Sequence, residues 1–174
     1  MSPRALRILL AVSLLALVAS AACAGAGGSA EERAATVERI VDGDTLVVRG
    51  GVRVRLVQID APEAGGECHA AASTRELARL APPGARVVLV ADPRLDRVDV
   101  FGRLLRYVRA AGRNVNVELV RRGAATPYFF DGDRGRHAGA LISAVSAART
   151  ARLGMWRACR VFWRPDGPVD TRRR

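Results

Sequence analysis

The stretch that decides the fold is residues 41–63, which read VDGDTLVVRGGVRVRLVQIDAPE. Apolar and polar residues alternate on both sides of Gly50 and Gly51, a pattern typical of two strands joined by a tight turn. Both predicted strands carry carboxylates at their outer ends: Asp42, Asp44, Asp60 and Glu63. Because the strands of a hairpin are antiparallel, these ends meet at one rim of the sheet.

Several carboxylates on one rim repel each other unless positive charge compensates them. Carboxylate oxygens are the ligands that calcium prefers, and Arg55 lies within the second predicted strand, close to the rim. A cation beside an arginine is a common way to hold a phosphate. The hairpin therefore predicts a phosphate site with a metal ion. Taken alone, the tripeptide Asp-Gly-Asp indicates only a turn.

The composition favours a basic protein that binds polyanions. The chain has 174 residues, enough for one domain plus a targeting sequence, and a formal net charge of +11. All 28 basic residues are arginine, which excludes Schiff-base lysine chemistry and a Walker-type phosphate loop. Nucleic acid is therefore the first partner to consider, and an anionic membrane surface is the second.

Residues 1–24 are typical of an export signal. Two arginines precede an apolar run, residues 8–18, that is too short to span a bilayer. Residues 22–24 read Ala-Cys-Ala and offer a cleavage site. We therefore predict a secreted protein. The alternative is a lipoprotein anchored to the membrane through Cys23.

Cysteine usage agrees with export. Once Cys23 is removed or lipidated, Cys68 and Cys159 remain as one pair, and an oxidising compartment favours a disulfide between them. The chain-entropy model gives such a bond about 4–5 kcal/mol of stabilisation. Two separate buried thiols are the alternative. A zinc site formed by Cys68, His69 and Cys159 is disfavoured because their spacing matches no known zinc motif.

The rest of the sequence predicts one domain over residues 36–162, between a Gly/Ala/Ser-rich linker (residues 25–35) and a basic, mobile tail (residues 163–174). Strands are predicted at residues 36–41, 46–48, 52–59, 86–91 and 104–110. Helices are predicted at residues 67–80, 114–122 and 136–152. Five strands with one helix after the third predict an α+β, mainly β, fold: a five-stranded OB-type Greek-key barrel with about three helices.

Three segments of this chain resemble the staphylococcal nuclease family: Asp42-Gly43-Asp44-Thr45, residues 55–63 and Asp99-Val100-Phe101-Gly102-Arg103. The resemblance runs from about residue 36 to residue 160 in unbroken order. It implies the same barrel fold. It also implies calcium-dependent hydrolysis of phosphodiester bonds in DNA and RNA, with 3′-phosphate ends and little sequence preference.

The resemblance assigns roles to individual residues as well. Asp44 and Asp60 lie where the family has its two carboxylate ligands for calcium, and Ala61 would add its backbone carbonyl. Glu63 lies where the family has its candidate general base. That carboxylate either takes a proton from the attacking water or only orders the water.

Arg55 and Arg103 are the predicted catalytic arginines. A planar guanidinium donates two parallel hydrogen bonds to the phosphate oxygens that gain charge in the transition state. Arg55 lies in an apolar strand, and Arg103 follows Gly102, where a small residue lets the substrate approach closely.

The chain also departs from the family pattern. The family often has a basic residue and a tyrosine where this chain has Val100 and Phe101, so a phenol that could donate to a terminal phosphate is missing. The tyrosine that stacks on a base in the family corresponds here to Tyr128 or Phe129.

These observations predict a secreted, calcium-dependent nuclease that acts on DNA and RNA as a monomer, with no stable protein partner. The alternative function is a non-catalytic OB-type module that binds single-stranded nucleic acid, which would need a basic groove but not the carboxylates. A cell-surface lipoprotein with a structural role is a third possibility, supported by Cys23 alone.

Overall fold

The computed structural model describes residues 31–174. The predicted export signal, Cys23 and the first part of the predicted linker lie outside these residues. The strands are β1 (Glu32–Ile40), β2 (Thr45–Val48), β3 (Val52–Leu56), β4 (Ile59–Asp60), β5 (Arg86–Val90), β6 (Leu104–Ala110), β7 (Arg113–Asn114), β8 (Thr126–Pro127), β9 (Cys159–Phe162) and β10 (Asp170–Arg173). The helices are α1 (Ala70–Leu80), α2 (Val115–Arg121), α3 (Ala138–Thr150) and the short α4 (Met155–Ala158).

A closed five-stranded barrel forms from β1, β2, β3, β5 and β6. The first half of β1 pairs with β5 and the second half with β2, both antiparallel. An irregularity in the register between Val37 and Arg39 separates the two halves, and such bulges bend a strand. β5 pairs with β6, and the parallel pairing of β3 with β6 closes the ring. The prediction of an OB-type barrel is confirmed.

The hairpin of β2 and β3 follows from its sequence. Gly50 and Gly51 have φ angles of 91° and 75°, a region that glycine enters without strain. Their turn pairs Thr45 with Arg55 across the two strands. The backbone carbonyl of Asp44 then accepts a hydrogen bond from the N–H of Leu56 at 2.8 Å. Asp44 is thereby held at the rim, next to the strand that carries Arg55.

Apolar side chains fill the barrel and the layer under the helices. Val54 and Leu56 of β3 are fully buried, whereas Arg53 between the hairpin turn and Val54 is exposed. Leu119 of α2 and Leu141 of α3 belong to the same core, and burying each such leucine stabilises the fold by about 1.5–3 kcal/mol. Among residues 31–174, no helix combines the length and the apolar character needed to cross a bilayer.

The predicted strand at residues 52–59 is interrupted, and the break matters for the site. β3 ends at Leu56, and Gln58 has a φ of 63°. The buried amide of Gln58 stabilises this unusual backbone, because its oxygen accepts hydrogen bonds from the Tyr107 hydroxyl at 3.0 Å and from the Gly135 N–H at 2.9 Å. After the break, β4 pairs with β8 instead of with the barrel.

The two ends of the described chain are more ordered than the sequence predicts. Residues 32–35, expected in a linker, form the part of β1 that pairs with β5. The tail, expected to be mobile, contains β10, which pairs with β9 in an antiparallel hairpin. Pairing with an available strand edge offsets the weak local preference of these residues.

A disulfide joins Cys68, just before α1, to Cys159 at the start of β9, with a Cα–Cα distance of 6.0 Å. The two cysteines are 91 residues apart in sequence. The predicted pairing is confirmed, and it ties the β9–β10 hairpin to the loop that follows β4.

Candidate active site

Arg55 lies between the two buried aspartates at the barrel rim. Its Nε lies 3.2 Å from Asp44 Oδ1, and its Nη2 lies 2.8 Å from Asp60 Oδ1. Its Nη1 donates to the backbone carbonyls of Leu56 and Ile59 at 2.9 and 2.7 Å. The hairpin supplies Asp44 and Arg55, and the break at residue 58 brings Asp60 back to them. The structure therefore brings three of the predicted site residues together.

Further donors hold the aspartates in place. Asp44 Oδ2 accepts the N–H of Ala61 at 2.9 Å, and Asp44 Oδ1 accepts the hydroxyl of Thr45 at 3.1 Å. Asp60 Oδ2 accepts the N–H of Val169 at 2.9 Å. Since each of the four carboxylate oxygens has a protein donor, the positions of both groups are fixed before any ligand binds.

The pair carries more negative charge than Arg55 balances. Burial raises the pKa of the Asp44 carboxyl from 3.8 to about 7, although Arg55 opposes the shift and Asp42 and Asp60 add to it. Burial also raises the pKa of Asp60, against the opposing effects of Arg55 and the N–H of Val169. One guanidinium between two buried carboxylates leaves a site that a bound cation would neutralise.

The donor set suits a hard cation with water in its coordination shell. Within residues 31–174, no three His, Cys, Asp or Glu side chains lie close enough together to hold a metal ion. An ion at Asp44 and Asp60 would therefore complete its shell with backbone carbonyls and water, which calcium accepts. The contribution of the Ala61 carbonyl stays a prediction, although its N–H already links this residue to Asp44.

Glu63 lies outside the buried pair. Its side chain is exposed, and it follows the buried Pro62 at the start of a loop. Its backbone N–H donates to Glu67 Oε2 at 3.1 Å. Because the Glu63 side chain is exposed, a water or a substrate can reach its carboxylate.

Arg103 and Arg55 line the same cavity, whose volume is about 350 Å³. Asp99 orients Arg103, since its carboxylate accepts the backbone N–H at 2.9 Å and Nε at 2.6 Å. The ion pair occupies Nε, so the Nη groups can bind another anion. The guanidinium also lies 5.4 Å from the ring centroid of Phe101. Both guanidiniums add positive charge to this cavity, and that of Arg103 also has Nη groups available for a phosphate.

Aromatic side chains also line this cavity. Tyr128 and Phe130 line it, with their ring centroids 6.2 Å apart in an edge-to-face arrangement. Phe129 is instead buried in the core, at 1% exposure, while Phe130 is 62% exposed. Of the two residues that the sequence left open for base stacking, Tyr128 is the one at the cavity. Phe130 was missed, although alternation along an extended segment places residues 128 and 130 on one side.

Val169 is the second group that the sequence did not indicate. Its N–H donates a hydrogen bond to Asp60, 109 residues away in sequence. Because the donor is a backbone group, it does not depend on the identity of the side chain. No local pattern marks such a group.

Comparisons with known proteins agree on one family. Residues 53–158 match the family described as Staphylococcal nuclease homologue. Protein ParB of Escherichia coli is 36% identical over 171 residues, which cover 90% of this chain and 88% of that protein. Micrococcal nuclease of Shigella flexneri is 37% identical over 133 residues, which cover 69% of this chain and 71% of that protein.

A further relative is much longer. Endonuclease YhcR of Bacillus subtilis (strain 168) is 32% identical over 136 residues, which cover 69% of this chain. The match spans 11% of that protein, so the similarity concerns one part of it.

Proposed function

The chain belongs to the staphylococcal nuclease family, and from this premise we propose that it is a secreted nuclease that hydrolyses phosphodiester bonds in DNA and RNA with calcium as its cofactor. The single observation that carries this proposal is the cavity that Arg55 and Arg103 both line, with Arg55 bonded to the buried Asp44 and Asp60. Relatives named as endonucleases and as a micrococcal nuclease support hydrolysis of nucleic acid.

Asp44, Asp60 and the backbone carbonyl of Ala61 are the groups that would hold calcium. When bound, the ion supplies positive charge to a phosphate oxygen. Asp44 is buried, with the Ala61 N–H on one oxygen, so its position would change little on binding. Arg55, which is bonded to both carboxylates, balances part of their charge.

Arg55 and Arg103 would stabilise the negative charge that develops on the phosphate oxygens. Because Asp99 holds Arg103 through Nε, its Nη groups are oriented before the substrate arrives. Such preorganised donors are worth about 10²–10³ in rate each. Glu63 would receive the proton of the attacking water or order that water. The bond between phosphorus and the 5′ oxygen would break, so that one product carries a 3′-phosphate and the other a 5′-hydroxyl, whose proton would come from solvent.

The aromatic wall of Tyr128 and Phe130 would stack on the bases next to the scissile bond, since every base offers a flat face whatever its identity. This contact would allow activity on both DNA and RNA without strict sequence preference. The basic composition of the chain would add electrostatic attraction to the polyanion.

The test compares variants of the site with matched surface variants. Arg103→Ala and Glu63→Gln are expected to lower DNA hydrolysis by about 10²–10³, whereas the exposed controls Arg113→Ala and Glu38→Gln are expected to retain wild-type rates. Circular dichroism checks that every variant is folded. Near-native turnover by both site variants would place the active site elsewhere. A wild-type protein that binds single-stranded nucleic acid but cleaves none would favour the non-catalytic OB-type module.

A further inference from the structure

The C-terminal segment, residues 163–174, reaches the carboxylate pair from outside the barrel. The N–H of Val169 donates to Asp60 Oδ2 at 2.9 Å, and Val169 itself is 5% exposed. The part of the chain that matches the family ends at residue 158, so this contact lies beyond it.

We propose that Val169 is a positioning residue of the active site, whose backbone N–H orients the Asp60 carboxylate, and that the Cys68–Cys159 disulfide keeps it there. This inference rests on the proposed function, because it takes Asp60 as a ligand for calcium. It adds a part of the chain that the family match does not include.

The carboxylate of Asp60 is held from two sides. Arg55 Nη2 donates to Oδ1 at 2.8 Å, and the Val169 N–H donates to Oδ2 at 2.9 Å. One donor alone would leave the group free to rotate about its Cβ–Cγ bond, whereas two donors on different oxygens fix its plane. Outer partners of this kind typically change metal affinity by about 10–100-fold when they are removed.

On one side of Val169, Thr171 is hydrogen-bonded to Cys68, one of the two cysteines of the disulfide. The Thr171 hydroxyl donates to the carbonyl of Cys68 at 2.7 Å, and the N–H of Cys68 donates to the carbonyl of Thr171 at 3.1 Å. Cys68 is in turn bonded to Cys159, the first residue of β9, which pairs with β10. The strand that carries Thr171 is therefore hydrogen-bonded both to Cys68 and to β9, the strand that the disulfide links to the loop after Asp60.

On the other side of Val169, two hydrogen bonds anchor the segment to β8 and to Phe129, which follows it. The carbonyl of Pro165 accepts the N–H of Phe129 at 2.7 Å, and the indole N–H of Trp163 donates to the carbonyl of Pro127 at 2.7 Å. The side chain of Val169 packs in a small apolar cluster with Met155. Because the segment is fixed on both sides, the N–H of Val169 is preorganised toward Asp60.

The first experiment removes the donor and keeps the rest of the position as similar as possible. Val169→Pro has no N–H, while Val169→Ala retains it and loses only side-chain packing. Calorimetry with calcium is expected to show about 10–100-fold weaker binding for Val169→Pro and a much smaller change for Val169→Ala. Equal affinities for the two variants, or wild-type affinity for Val169→Pro, would overturn the proposal.

A second pair of variants covers the case in which proline prevents folding. Thr171→Val removes the hydroxyl that holds the segment to Cys68, and Thr171→Ser restores it. We expect Thr171→Val to weaken calcium binding and Thr171→Ser to bind like the wild type. A loss that is the same in both variants would overturn the role of this anchor.

Reduction of the disulfide gives a readout that needs no calcium. A dithiol converts the Cys68–Cys159 bond into two thiols and is itself oxidised to a cyclic disulfide. Amide hydrogen exchange at Val169 is expected to be slow in the oxidised protein and at least about tenfold faster after reduction. Unchanged exchange would refute the part assigned to the disulfide. Wild-type protein without calcium affinity would refute the proposed function and the role of Val169 toward calcium, even if its amide proton were protected.

Discussion

Replacing Asp44 by asparagine is expected to stabilise the calcium-free protein, and to do so more at pH 8 than at pH 5. The carboxyl has a pKa of about 7 in the folded protein, against 3.8 as its ordinary value. Between these values the folded state keeps a proton that the unfolded state has released. Folding therefore becomes less favourable as the pH rises from about 4 to 7.

The size of the effect follows from the same two values. Each pH unit in this window costs about 1.4 kcal/mol of stability. The advantage of Asp44→Asn over the wild type should thus grow by about 2–3 kcal/mol between pH 5 and pH 8. Arg55 favours the charged form of Asp44, and this effect is already contained in the pKa of about 7. The part of the substitution that does not depend on ionisation is common to both pH values and cancels in the comparison.

The assay is urea unfolding at both pH values with a chelator present, so that bound cations do not stabilise the charged form. Asp96→Asn, at an exposed position, is the matched control because it removes the same charge from the surface. Adding calcium should reverse the order at pH 8, since the wild type alone keeps both carboxylates. A stability difference between the variant and the wild type that is the same at pH 5 and pH 8 would refute a buried site whose negative charge Arg55 only partly balances.

Three further predictions concern other parts of the molecule. Peptide mapping without reductant should find Cys68 linked to Cys159, and reduction should lower the Tm because the bond is worth about 4–5 kcal/mol; an unchanged Tm would contradict this. Asp92 accepts the N–H groups of Arg136 and Arg94, and although burial opposes its ionisation, these donors hold its pKa below 3.8. Urea unfolding should therefore show Asp92→Asn to be less stable than the wild type by about 1.5–3 kcal/mol at pH 6. The difference should be smaller at pH 3, because the wild type loses the stabilisation by the Asp92 charge as the pH falls. A larger difference at pH 3 would contradict the lowered pKa. Tyr128→Leu and Phe130→Leu should each raise the KM for single-stranded DNA by about tenfold or more through lost stacking, while Phe162→Leu, an exposed aromatic outside the cavity, should not; three equal KM values would exclude the aromatic wall.

The hairpin and its rim could be predicted because their signals are local. Alternation fixes which side each residue of β3 faces, and Gly50 and Gly51 mark the turn. The antiparallel pairing then brings Asp44 and Arg55 together without any long-range information. The close approach of Asp60 was also expected, although not through a break in the strand.

The parts that sequence missed depend on contacts between distant residues. The backbone of Gln58 is held by Tyr107 and Gly135, which no local pattern connects to it. The tail reads as mobile from its Arg, Pro and Gly content, but pairing with β9 orders it. The bond from Val169 to Asp60 uses a backbone N–H, a group that every residue except proline carries.

The most direct test of the central claim measures hydrolysis of DNA and RNA by the purified protein in calcium, then in excess chelator, and then with calcium restored. The arrangement of Asp44 and Asp60 around a single arginine predicts hydrolysis with calcium, none with chelator, and full recovery on restoring the ion. Hydrolysis that continues unchanged in excess chelator would contradict the metal assignment and the mechanism built on it.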